Sequence, residues 1–445
     1  MRNRNRSICR LLCLTLAVVP AFGCVGCAEK KQETEKAVEE VSIPMILIVN
    51  STTGKKSEEE VVEAFNEAYE GSWEVDVEWI METEEEYRQN LKRLNVTDEL
   101  PAVITDLRML PSFYQLMIQD GRLEDLKPYL DADLEWQEMI EPVVMEACTE
   151  PEGEVYLAPI STAAFSCSGV FWNEELFLEA GITSFPKTWE EFWECCDTLK
   201  AHGITPLALH TEGTAWAPML LATAELAGSP EGAAFLKEGY SKGYQNKNGI
   251  QMAETLKRLF TYTTEDALYS DFDVSYENFF AGRAAMLPNG YWMTDQIPQG
   301  WEEKTRFSAF PGNCLISSPE TFGWSVISDY SDLVKTGAVE FLKFRTKMNQ
   351  EKKEALFSRK REELPVAVAD YIDAYQGNPQ FVPNYQVKWN SILQEQTLGE
   401  ALPQLVSGKI SPAQFTRLED ESIEKSMKEQ KKYNQQNFQV YFFAI

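Results

Sequence analysis

Pro44-Met45-Ile46-Leu47-Ile48-Val49 is apolar at every position. A run of that length with no alternation reads as a strand whose two faces are both buried in a parallel sheet. The polar turn Asn50-Ser51-Thr52-Thr53-Gly54 follows, and Ser57 with Glu60 makes a capping-box signature ahead of Val61, Val62, Phe65, Ala68 and Tyr69 on one helical face. Val75, Val77 and Trp79 then alternate as a second strand. Thr83 with Glu86 caps a second helix bearing Tyr87, Leu91 and Leu94, and Ala102-Val103-Ile104 supplies a third strand ending at Asp106. This βαβαβ pattern constrains the chain strongly, because parallel strands require right-handed crossovers and ligands sit outside the carboxyl ends of the strands. Asn50, Ser51 and Asp106 are therefore expected on the functional edge.

A second α/β region opens near Ile160. Phe171-Trp172-Asn173 ends an apolar strand, Leu176-Phe177 begins a helix that stops at Gly181, and Thr188 with Glu191 forms another capping box ahead of Trp189, Phe192, Trp193 and Leu199. Helical patterns continue across Ala215 to Leu226, Ile250 to Tyr262 and Ala338 to Met348, and Ser411-Pro412 starts a charged amphipathic helix running to Lys432. With 445 residues the chain has material for two cores, since a single core seldom grows past about 250 to 300 residues.

The first residues read as a targeting segment. Arg2, Arg4, Arg6 and Arg10 form a basic stretch without an acid, and Leu11 to Phe22 is apolar except at Cys13, Thr15 and Pro20. That run is shorter than the roughly 20 apolar residues a spanning helix needs. Gly23-Cys24-Val25-Gly26-Cys27 then resembles a bacterial lipobox, in which a cysteine is acylated and becomes the first mature residue. Val25-Gly26 favours Cys27, with Cys24 as the alternative. An ordinary secretory signal with incidental cysteines is the competing reading. Residues 1–26 are thus expected to be a lipoprotein signal peptide and 27–42 a flexible tether, with the remainder extracytoplasmic on the outer face of the cytoplasmic membrane.

A formal charge of -29 repels phosphate backbones and anionic lipid heads, so nucleic acid and peripheral membrane binding are not expected. Cys148, Cys167, Cys195, Cys196 and Cys314 lack metal-ligand spacing and read as structural thiols. His202 and His210 are the only histidines, neither with a second ligand at helical spacing, and Asp131-Ala132-Asp133-Leu134-Glu135 lacks the glycine of a calcium loop. No cofactor or metal is expected. The chain has no nucleophile elbow, phosphate loop or dinucleotide fingerprint, so catalysis is not expected either.

Several blocks occur in a telling order: Gly153-Glu154-Val155-Tyr156-Leu157-Ala158-Pro159, Val170-Phe171-Trp172-Asn173-Glu174-Glu175-Leu176-Phe177, Ala180-Gly181-Ile182, Pro186-Lys187-Thr188-Trp189-Glu190-Glu191-Phe192, Phe280-Ala281-Gly282-Arg283-Ala284-Ala285-Met286 and Gly290-Tyr291-Trp292. Phe310-Pro311, Phe322-Gly323-Trp324 and Ala338-Val339-Glu340-Phe341-Leu342 complete the series. In this respect the chain resembles a family 1 extracellular solute-binding protein, the lipid-anchored receptor of an ABC importer for carbohydrate. It departs from that pattern at Pro101-Ala102, where the family has Pro-Asp, and at Trp172-Asn173, where it has Tyr-Asn. The resemblance implies an α/β, two-lobed periplasmic-binding-protein-like fold of type II, with discontinuous lobes joined by a hinge. It places the first crossing near Ala158 to Thr162, the return near Phe310 and the last crossing near Arg361 to Val366. Residues 43–160 and 310–362 would form lobe 1, and 161–309 and 363–445 lobe 2. It further implies a monomer that binds carbohydrate, an oligosaccharide, in the cleft and engages ABC permease subunits, touching the membrane only through its lipid anchor.

A neutral sugar presents C–H faces and hydroxyls, so its site needs flat aromatic platforms with a few carboxylates or amides beside them. The resemblance puts a ligand-stacking aromatic at the Gly-x-Trp step, which makes Trp292 the first candidate. Trp216, Trp324 and Trp389 are the other candidate platforms, each with core packing as the competing reading, whereas Trp172, Trp189 and Trp193 read as core. Asp106 is the first polar candidate, followed by Asn50, Ser51, Tyr276 and Glu277. The alternative ligand is a non-sugar solute such as a peptide or a polyamine, for which Asp271, Asp273 and Glu277 would be the place to look.

Overall fold

The computed structural model describes residues 40–49, 52–81, 83–107, 110–212, 215–238, 243–317, 323–383, 398–425 and 428. Its strands are β1 (Val41–Ile48), β2 (Trp73–Ile80), β3 (Val103–Ile104), β4 (Cys167–Asn173), β5 (Thr205–Leu207), β6 (Ala284–Gly290), β7 (Thr305–Ser308), β8 (Cys314–Ser317), β9 (Ser325–Val326) and β10 (Gln380–Pro383). They form two sheets. The first has the order β2-β1-β3-β9, with β1 parallel to β2 from Val41 opposite Trp73 to Ile48 opposite Ile80, and parallel to β3 at Met45 opposite Val103. The strand begins at Val41, ahead of the apolar run, and Pro44 is tolerated because pairing with β3 starts only at Met45.

The helix Thr52–Ala68 returns the chain from β1 to β2 and buries Val61, Val62 and Phe65. It starts earlier than the Ser57 and Glu60 signature, so Ser57 lies inside the helix. Thr52-Thr53-Gly54 have poor intrinsic propensity, but delivery of the chain from a buried strand end outweighs it. The other two capping boxes form as the sequence indicates. Thr83 and Glu86 cap Glu84–Val96, and Thr188 and Glu191 cap Trp189–Ala201, each with reciprocal side-chain to backbone bonds.

The second sheet has the order β10-β8-β4-β6-β5, with β7 pairing β4 as well. Its central strand β4 is buried at every residue, as a strand covered on both faces must be. Antiparallel pairing sets Ser168 opposite Gly290, and Cys167 opposite Ser317. The boundary expected at residue 310 is corrected by β8. Cys314–Ser317 pairs with β4 and β10 in the second sheet, so the chain is back in the first sheet only at β9. The physical reason is the turn at Phe310, whose N–H bonds the Cys314 carbonyl at 2.8 Å and folds the chain back onto the same sheet.

The molecule is thus an α/β fold with two discontinuous lobes, each built on one sheet, of the type II periplasmic-binding arrangement. The long helix Asp332–Phe357 packs on β1 and β9, and Val366–Gln376 packs on β7, so the chain changes lobe between these helices. One apolar core runs through both lobes at their junction, joining Ile43, Phe65 and Phe341 to Cys167, Phe171, Leu287, Phe307 and Tyr371. A second core, with Phe192, Leu221, Leu256 and Phe415, belongs to the second lobe.

Candidate functional site

The carboxyl edge of the first sheet is built where β3 ends. Thr105 binds the Tyr87 hydroxyl at 3.0 Å, and Asp106 follows with a left-handed backbone, φ 67°. That conformation costs a non-glycine residue of order 1 kcal/mol or more and collects at functional sites. Asp106 is 1% exposed, and its Oδ2 accepts from Arg88 Nε at 2.6 Å. Because Ile104 pairs with Ser325, Trp324 lies beside this edge. Its indole is 8% exposed and sits under the Arg345 guanidinium, 4.2 Å from the ring centroid, while Arg345 is itself held by Glu58. The Trp324 carbonyl accepts from Ala158 N–H at 2.8 Å, which ties the start of the first crossing to the same edge.

The edge of the second sheet at Ser168 and Gly290 begins where that crossing ends. Residues 163–166 make one helical turn and feed β4, so Ser168 and its partner Gly290 stand next to the crossing. Past Gly290 the chain turns as a 3-10 helix, Tyr291–Gln296, and its first two rings part company. Tyr291 packs inward, 5.4 Å from Phe165 of the crossing and 4.8 Å from Tyr371 between ring centroids. Trp292 turns outward and is 41% exposed. The indole lies back over Gly290 so closely that a Cβ there would fall 2.2 Å from the ring. Glycine is needed at 290 for that close approach.

Trp216 meets Trp292 at 5.7 Å between centroids, with the ring planes 46° apart. It opens the helix Trp216–Ala227, which is buried along almost its whole length and so is a rigid support. Ala215, the cap before it, is also left-handed, φ 52°, and carries no capping side chain. The loop leading there is fixed by Thr211 and Glu212 N–H groups donating to the Ser270 carbonyl, and by His210 Nδ1 at 2.9 Å from Ser275 Oγ. Burial pushes the His210 pKa down to about 4, so its imidazole is neutral at neutral pH.

Among the remaining candidates, the Tyr276 hydroxyl donates to the Gln296 carbonyl at 2.7 Å, and Glu277 is exposed on the same helix. Asn50, Ser51 and Trp389 lie outside the described residues, as do Cys24 and Cys27. The topology therefore sets Asp106 and Trp324 at one edge and Trp216 and Trp292 at the other, both beside the crossing at 158–166. Of the described candidate indoles, Trp292 is the one most open to solvent. A cavity of about 840 Å³ elsewhere in the second lobe, lined by Trp172, Phe185, Arg306 and Asp370 among others, contains none of the candidates.

Sequence reading did not find Arg88, Gly290 as a seat for the indole, or the strained Ala215. Only the Gly-x-Trp spacing hinted at the second of these. The five described cysteines are buried, and burial raises the Cys167, Cys195 and Cys314 thiols to about 12. Among the described residues no group of three or more His, Cys, Asp or Glu is placed to hold a metal ion. No helix among them is long and apolar enough to cross a membrane.

The profile of the family described as bacterial extracellular solute-binding protein matches residues 50–348. Solved structures share the fold along most of the chain. A Streptococcus pneumoniae solute-binding protein in complex with the blood group A-trisaccharide is 16% identical, with a TM-score of 0.67 over 86% of this chain and 100% of its own. A family 1 extracellular solute-binding protein from Bifidobacterium longum subsp. infantis is 17% identical, with a TM-score of 0.67 over 87% and 99%. A protein from Caldanaerobius polysaccharolyticus, solved in work on xylan utilization, is 17% identical, with a TM-score of 0.67 over 86% and 100%. At such identities the likeness shows the fold. No curated protein matches the sequence significantly.

Proposed function

The chain belongs to the family of bacterial extracellular solute-binding proteins, and from that premise we propose that it captures a carbohydrate between its lobes and passes it, as a monomer, to the permease subunits of an ABC importer. The observation that carries this reading is the Trp292 indole, open to solvent at the lobe junction and adjoined by Trp216. An exposed aromatic face seated on a rigid support is what the C–H face of a sugar ring stacks on, at little entropic cost to the protein. Two indoles tilted by 46° cannot both lie flat on one sugar ring. They suit consecutive rings of an oligosaccharide, the class to which the trisaccharide bound by the pneumococcal relative belongs. The strongly acidic chain favours an uncharged ligand over an anion.

The proposal includes the anchor. Acylation at Cys27, or at Cys24, would hold the protein on the outer face of the cytoplasmic membrane, each buried methylene contributing about 0.8 kcal/mol. Closure of the lobes on the ligand would then present one conformation to the permease.

Thermal melting and tryptophan fluorescence with a panel of oligosaccharides test the reading. A ligand at a hundredfold its Kd adds about 2.7 kcal/mol of apparent stability. Trp292→Ala is expected to abolish that gain and leave ligand-free melting nearly unchanged. If no oligosaccharide stabilises the protein while a polyamine or peptide does, the carbohydrate reading is wrong. A large drop in ligand-free melting would instead make Trp292 a core residue.

A further inference from the structure

Glu141 occupies a position that ligand contact does not explain. It precedes the short helix Pro142–Cys148 in the first lobe, yet its own helix takes no cap from its side chain. The carboxylate instead reaches three separate parts of the fold. Oε2 accepts the Ala163 N–H at 2.5 Å, on the first crossing. Oε1 accepts from Lys353 Nζ, on the long first-lobe helix Asp332–Phe357, and from the Tyr375 hydroxyl at 2.8 Å, on Val366–Gln376 of the second lobe. Glu141 and Lys353 are 17% and 21% exposed, so water screens the cluster only partly.

The surroundings fix each member in place. Tyr375 stacks on Tyr371 at 6.3 Å and meets Phe357 edge-on at 5.5 Å, with Lys353 over its ring. Tyr371 donates to the Ala164 carbonyl at 2.6 Å, and Asn349 of the first-lobe helix donates to the Ile160 carbonyl at 2.8 Å. The crossing is therefore stitched to one lobe at Ile160 and to the other at Ala164, and Glu141 spans the two stitches. Burial, then the Glu141 charge, raises the Tyr375 pKa, so the hydroxyl is a donor at any ordinary pH.

We propose that Glu141 and Tyr375 form a hinge latch: the carboxylate, fixed to the first lobe by Lys353 and to the crossing by the Ala163 N–H, holds the second lobe through the Tyr375 hydroxyl and so sets the balance between lobe angles. Glu141 is a positioning residue, and the latch rests on the two-lobed clamp reading above. A hydrogen bond to a charged group contributes enough to move a two-state balance about tenfold or more when it exists in only one state.

The test needs no ligand, so it reads out whether or not a sugar is ever found to bind. Tyr375→Phe keeps the ring stack and removes only the hydroxyl, and Glu141→Gln keeps an acceptor and removes the charge. Small-angle scattering and amide exchange are measured on the full chain and both variants without sugar. The expected result is a change of radius of gyration in the same direction for both variants. Exchange at 160–167 should quicken about tenfold, with only a small loss of melting temperature in Tyr375→Phe. A merely structural bond would lower melting and leave the scattering profile as it was. Unchanged scattering and exchange in folded Tyr375→Phe overturns the latch, and so do shifts of opposite sign in the two variants.

Discussion

At the scale of single residues, environment decides what each side chain can do. Trp292 and Trp324 each follow a glycine by one or two positions, and in sequence Trp292 is the first candidate platform while Trp324 has core packing as its competing reading. Their surroundings separate them, since Trp292 rests on Gly290 and opens to solvent whereas Trp324 is covered by Arg345 and Phe341. No local pattern carries that difference, because Arg345 comes from a distant helix. His210 gives a prediction of the same kind. Its folded pKa lies near 4, below the ordinary 6.5, so the unfolded chain binds the extra proton as pH falls between those values. The neutral imidazole therefore contributes stability that is complete above pH 6.5 and is lost as pH falls toward 4, on the order of 3 kcal/mol. Melting of His210→Asn against the unmodified protein should show the gap between them closing over that window. A gap that is constant with pH would mean that His210 is not held neutral by the fold.

At the scale of elements, the sequence was most legible where one signal sufficed. The run at 44–49, the alternation at 75–79 and the two Thr-x-x-Glu boxes each became the strand or helix they indicate. It was least legible where pairing partners are distant. The Ser57 signature gave way to a helix start at Thr52, and β8 joined the second sheet through β4 and β10, far away in sequence. The C-terminal helix at 412–425 shows what an amphipathic pattern conceals. Its start is capped reciprocally by Ser411 and Gln414, and Phe415 and Ile423 face the second core as the pattern requires. Glu419 falls on that same face, wholly buried, and no described residue hydrogen-bonds either of its oxygens. Burial raises its pKa well above the ordinary carboxyl range, so the folded protein favours the neutral acid. Stability from this group is therefore complete below about pH 4.5 and declines as pH rises through the raised value. Glu419→Gln should melt higher than the unmodified protein at pH 8, with the advantage shrinking toward pH 4.5. An advantage of equal size at both ends would place the effect elsewhere than in ionisation.

At the scale of the whole molecule, two sheets are connected by repeated crossings, and the candidate platforms lie beside the first of them. Asp106 and Trp324 flank the paired strands β3 and β9 of one sheet, Trp292 follows β6 of the other with Trp216 against its ring, and the segment 158–166 leads into β4. The fold family could be read from ordered sequence blocks because those blocks are packing signatures of strands and helix starts, many of them buried. The ligand could not be read in the same way. Recognition depends on exposure and ring angle, which emerge only when distant segments meet, and three of the candidates, Asn50, Ser51 and Trp389, lie outside the described residues. The central claim is that the two lobes shut on a sugar held by Trp292. Small-angle scattering with and without a saturating oligosaccharide from the melting panel tests it most directly. The account predicts a smaller radius of gyration with sugar and no change in Trp292→Ala. An oligosaccharide that binds and leaves the radius unchanged, or one that still closes Trp292→Ala, would contradict it.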